Sequence, residues 1–89
     1  MSLLLVTYDL TMPEDNYSKL HDEVDSYSNV RLSETSYAII TDKSPSKVCG
    51  ELKRYIDAND KIFVINLKRP FDGYGSELVN DWLEKTMTY

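Results

Sequence analysis

Leu3-Leu4-Leu5-Val6-Thr7-Tyr8-Asp9-Leu10 is the stretch that decides the fold. A β-branched and aromatic centre among leucines, closed by Met12-Pro13, is the signature of a strand rather than a helix. Alternation puts Leu3, Leu5, Thr7 and Asp9 on one face and Leu4, Val6, Tyr8 and Leu10 on the other. Apolar residues on both faces predict a central strand with cover on either side.

Outward from this strand, Tyr17, Leu20, Val24 and Tyr27 recur at helical spacing across 14–28, with Glu14 and Asp15 in the expected first turn, where acids suit the helix dipole. Two extended pieces, Val30–Ser33 and Ser36–Thr41, read as a hairpin turning at Glu34-Thr35. Ser44-Pro45 opens a second helix as cap and first helical residue; Val48, Leu52, Tyr55 and Ile56 mark its apolar face, and it ends near Asp57. Ile62-Phe63-Val64-Ile65-Asn66-Leu67 is a further strand, and its near-continuous apolar run predicts a second central position. After a turn-rich segment at 69–75, Ser76 caps a third helix with Leu78, Trp82 and Leu83 on one face, and 86–89 is expected to fray.

Strand, helix, strand, strand, helix, strand and a C-terminal helix is the split βαβ plan. The expected class is therefore α+β, a ferredoxin-like sandwich with two helices on one face of a four-stranded antiparallel sheet. The other face needs the C-terminal helix or a second subunit. Eighty-nine residues allow one domain, 1–89. With the single Cys49 excluding an internal disulfide, so short a chain gains stability by pairing, and a homodimer is expected. The faces bearing Leu3 and Leu5, or Leu4 and Val6, are the candidates to meet the partner. No run reaches the roughly 18 apolar residues of a membrane span, and the chain reads as cytoplasmic, without membrane contact.

Ten Lys plus Arg against fifteen Asp plus Glu give a net charge of -5. Non-specific binding to duplex nucleic acid, which relies on a basic face, is disfavoured unless the fold gathers Lys53-Arg54 and Lys68-Arg69 on one surface. Asp9 is the leading candidate for chemistry. A carboxylate ending an otherwise apolar strand is costly to bury unless paired, capped or metal-bound, although it could also organise the loop that follows through side-chain to backbone bonds. His21, the only histidine, borders a helix stripe and cannot build a His-rich site alone. Tyr37 on its strand could stack on a base. Gly73-Tyr74-Gly75 lacks nucleotide-binding spacing and reads as a turn.

Leu5-Val6-Thr7-Tyr8-Asp9-Leu10 resembles the first-strand motif of the small CRISPR-associated adaptation subunit and of virulence-associated protein D, with SinR-like relatives, and the element order fits almost the whole chain. The resemblance implies a ferredoxin-like homodimer, in some members a metal-dependent nuclease. Asp9 would be the catalytic and metal-binding residue, two copies holding one Mg²⁺ or Mn²⁺ across the dimer axis. Glu14-Asp15 stands where the adaptation subunit carries basic residues, and Glu34-Thr35-Ser36-Tyr37-Ala38-Ile39 departs from its second hairpin strand. The alternative is a non-catalytic protein-interaction module, a regulator or inhibitor in a defence or mobile-element setting, which the acidic charge favours.

Overall fold

A computed structural model describes residues 2–12 and 17–87 of the chain. The elements are β1 (Ser2–Asp9), α1 (Ser18–Asp25), β2 (Ser28–Ser33), β3 (Ser36–Thr41), α2 (Pro45–Leu52) with a 3-10 turn at Lys53–Tyr55, β4 (Lys61–Asn66) and α3 (Glu77–Thr86). The sheet is antiparallel in the order β2-β3-β1-β4, which is the ferredoxin-like arrangement. The acids expected in the first turn of α1, Glu14 and Asp15, lie outside the described residues.

β1 is central, as its two apolar faces require. It pairs with β3 from Ser2 opposite Thr41 to Thr7 opposite Ser36, and with β4 from Leu4 opposite Asn66 to Asp9 opposite Lys61. The face bearing Leu4, Val6 and Tyr8 combines with Tyr37 and Ile39 of β3 and is covered by Leu20 and Val24 of α1 and Val48 and Leu52 of α2. Helical spacing supplies the cover, since Tyr17, Leu20 and Val24 fall on one side of their helix and all three are buried. Ser44 Oγ accepts from Lys47 N at 3.2 Å and Pro45 opens α2, both as the sequence predicts. At the helix end of the sheet remote from Asp9, Lys43 Nζ donates to Glu51 at 2.7 and 3.0 Å and to Tyr27 Oη at 3.4 Å. Those bonds raise the lysine's pKa and lower the carboxylate's, and they tie the segment after α1 to the last turn of α2.

The opposite face is covered by α3. Leu83 and Met87 bury Leu3 and Ala38, with Val30, Ile40, Phe71, Val79 and Trp82 around them. The C-terminal residues do not fray as far as they are described: Met87 N donates to Leu83 O at 2.9 Å, and Arg69 Nε donates to Met87 O at 2.6 Å. Arg69 also donates to Glu84 Oε2 at 3.0 Å, fixing α3 to the segment after β4. The remaining residues expected to fray, 88–89, lie outside the described ones. Leu78 does not share the buried face with Leu83; it is 75% exposed one turn after the Ser76 cap.

Two further expectations are corrected. β4 is not central but an edge strand, and Phe63 and Ile65 on its α3-side face are 60% and 50% exposed. Its apolar run therefore does not report burial by this chain's own elements. Leu4 and Val6 cannot meet a partner subunit, because α1 and α2 already bury them completely, and Leu3 is under α3. Leu5, half-buried, is what β1 leaves accessible beside Phe63 and Ile65.

Leu4 fills the centre of the larger core with no exposure, so Leu4→Ala should destabilise the fold by about 2–5 kcal/mol. Urea unfolding followed by circular dichroism measures this, and a loss below about 1 kcal/mol would contradict the packing described.

Candidate functional site

Antiparallel pairing gathers several turns at one end of the sheet. The end of β1, the β2–β3 turn, the entry to α1 and the turn before β4 all meet there. Tyr8 N donates to Thr35 O at 3.0 Å, carrying the β1–β3 pairing into the β2–β3 turn. Tyr8 Oη donates to Glu34 O at 3.4 Å and lies 3.5 Å from His21 Nδ1. The Tyr8 ring stacks on Tyr37, centroids 6.4 Å apart, with the Arg31 guanidinium 5.5 Å over the Tyr37 ring. Tyr37 is buried in this stack, so it presents no face on which a base could stack.

Asp9 ends β1 with its side chain exposed, not buried. Its carboxylate therefore carries none of the desolvation cost that a buried position would impose. It lines a shallow cleft of about 170 Å³ with Tyr8, Leu10, Met12, Glu34 and Thr35, and its partner across the β1–β4 pairing is Lys61. Glu34, from the hairpin turn, also lines this cleft. Sequence reasoning passed over it, although the topology holds the signal: β3 runs antiparallel to β1, so the turn before β3 must return to the end of β1.

Among the described residues, the loop after β1 is held by Asp60 rather than by Asp9. Asp60 Oδ1 accepts from Thr11 N and Thr11 Oγ1, both at 2.8 Å. Asp60 Oδ2 accepts from Tyr17 Oη at 2.9 Å and from Asp57 N at 2.8 Å. Tyr17 Oη in turn accepts from Met12 N at 3.2 Å. Desolvation raises the pKa of Asp60, but the bonds from Asp57, Thr11 and Tyr17 outweigh it and hold the carboxyl at about 2. Burial and the bond to Asp60 push the Tyr17 phenol up. Among the described residues no hydrogen bond or ion pair engages the Asp9 carboxylate.

The cationic pairs do not merge into one surface. Lys53 and Arg54 precede β4 and Lys68 and Arg69 follow it, with Arg54 bonded to Tyr55 Oη at 3.0 Å and Arg69 committed to α3. Lys53 and Lys61 share a wide, shallow groove of about 470 Å³ along α2 and the start of β4, where the half-buried Cys49 is a free thiol. Among the described residues no three His, Cys, Asp or Glu side chains are grouped as a metal site, and no helix is long and apolar enough to cross a membrane.

Because Asp60 is held at about 2 against an ordinary 3.8, its bonds stabilise the fold fully above about pH 4. That contribution declines as pH falls through the folded-state value. Asp60→Asn should lower the melting temperature at pH 7 and flatten its dependence between about pH 4 and pH 2. Thermal melts across this range test it, and a mutant with the wild-type acid profile would remove Asp60 from the explanation.

No family model matches the sequence, and no curated protein gives a significant match. Among solved structures, the chain is similar to the crystal structure of hypothetical protein TT1823 from Thermus thermophilus, with a TM-score of 0.67 at 17% identity over 84% of this chain and 92% of that one. At that identity the likeness establishes the shared ferredoxin-like fold over nearly the full length of both chains.

Proposed function

We propose that this protein is a homodimer that binds Mg²⁺ or Mn²⁺ at Asp9 and acts on nucleic-acid phosphodiesters. The observation that carries this reading is the state of Asp9: an exposed carboxylate at the end of the central strand, in a cleft that Glu34 also lines, with the described part of the following loop held by Asp60. The resemblance of Leu5–Leu10 to the first-strand motif of the adaptation subunit and virulence-associated protein D supports it. The donor set fits the ion, because Mg²⁺ is commonly held by one or two carboxylates while keeping several waters. When bound, the ion would supply Lewis acidity to a phosphodiester oxygen and acidify a water. The chain's own contribution is positional. Asp9 and Glu34 supply the charge that holds the cation, while Lys61, opposite Asp9, reduces the repulsion a phosphate would meet at an acidic surface.

A second reading, a catalytically silent interaction module, is supported by the net charge of -5 and by the exposed apolar residues of β4. Metal titration separates the two. Under the first, saturating Mg²⁺ or Mn²⁺ should raise the melting temperature by several degrees, and Asp9→Asn should erase the rise while remaining folded. RNA or DNA should be cut by the wild type and not by that variant. Absence of both the shift and the cleavage would leave the interaction module standing. Light scattering after size exclusion tests the dimer; a species of 10.3 kDa at micromolar concentration would reject it.

A further inference from the structure

We propose that the free edge of β4 is a seam for a second copy of this chain, paired antiparallel about a two-fold axis at Val64. The inference rests on the dimeric reading above and adds the surface that makes the dimer. Leu67 N donates to Leu3 O at 2.8 Å. In an antiparallel ladder, that bond and the register of β1 with β4 turn the peptide groups of residues 61, 63 and 65 toward β1 and those of Ile62, Val64 and Asn66 outward. Those outward groups have no ladder partner among the described strands, as β4 ends the sheet. A long apolar edge of this kind is a template for another strand unless bulges, proline or charge protect it, and residues 62–65 carry none of these.

What identifies the occupant as a second copy is self-complementarity. A two-fold at Val64 sets Val64 opposite the partner's Val64 and Ile62 opposite the partner's Asn66, so every outward residue meets an outward residue and exchanges both bonds. The same register sets Phe63 opposite the partner's Ile65, and Ile65 opposite the partner's Phe63, on the face that α1 and α2 leave open. These two exposed side chains then form aromatic to β-branched cross-strand pairs. Shifting the axis by one residue keeps the ladder but breaks both pairs. Charge agrees: residues 61–68 contain no acid, and the register brings the partner's Lys68 toward Asp60. The seam carries the two Asp9 residues to opposite ends of a continuous eight-stranded sheet, so each cleft with its Glu34 works alone and no ion is shared across the axis.

The test uses the full chain in sedimentation equilibrium. Ile65→Lys should raise the dimer dissociation constant at least about tenfold without changing the circular dichroism spectrum. Val64→Pro removes an outward N–H and no bond to β1, and although it also trims a half-buried side chain packed on the larger core, it should give a folded monomer. In a Cys49→Ser background, Val64→Cys should oxidise to a covalent dimer, because directly opposed residues at such a pair sit about 5.5 Å apart between Cα atoms, within disulfide reach. Unchanged dimerisation of Ile65→Lys, or no cross-link in a chain that still dimerises, would overturn the seam and leave the dimeric reading intact. If Val64→Pro fails to fold, Ile65→Lys and the cross-link decide. A wild type that stays monomeric at all concentrations would overturn both.

Discussion

A carboxylate that accepts four hydrogen bonds from three separate segments must stay ionised to do so, and the end of the sheet that carries Asp9 is built on that requirement. Asp60 sits directly before β4 yet binds the loop after β1 through Thr11, the entry to α1 through Tyr17 and its own turn through Asp57. Both crossover connections of the split βαβ plan are thereby fixed to one point. The division of labour between two aspartates follows. Asp60 spends its acceptor capacity on the scaffold, whereas Asp9, on the neighbouring strand, has no such partner among the described residues and faces solvent. A site that is to exchange ligands with water needs a carboxylate of the second kind held in place by one of the first.

The two sheet faces are treated unequally, and the inequality locates what the monomer leaves uncovered. α1 and α2 bury one face from β3 across to Val64 of β4. α3 is a single helix held by Arg69 near the strand ends, and it reaches Leu3, Ala38 and the β2 side but not Phe63. One helix of ten residues cannot cover a four-stranded sheet whose strands lie about 4.8 Å apart. The exposed strip at the β4 edge is thus a geometric consequence of having three helices for two faces.

Much of this was legible from periodicity. Leu3–Leu10 reads as central because both sets of alternating residues are apolar, and the structure pairs it on both edges. Ser44-Pro45 and Ser76 read as helix starts because capping is local chemistry, and both hydroxyls accept the expected backbone N–H. What sequence could not supply is information carried between distant residues. Asp60 looks like an ordinary turn residue until Thr11 and Tyr17 are brought to it, and Glu34 looks like hairpin filler until its turn folds back beside Asp9. Leu78 lies off the buried face because five residues along a helix turn it about 140° from Leu83, whereas Val79, four residues before Leu83, packs with it.

The misreading of β4 has a different origin. A run of four apolar residues predicts a strand with neighbours on both sides, and the monomer gives it only one. The pattern records where apolar surface should leave water, not which molecule removes it. Within the proposed seam β4 lies between β1 and the partner's β4, and the central position its sequence predicts is restored at the level of the dimer. The acidic net charge fits the same assignment. Like-charged copies repel at long range, and residues 61–68, along an unpaired edge, bring no acid into the contact.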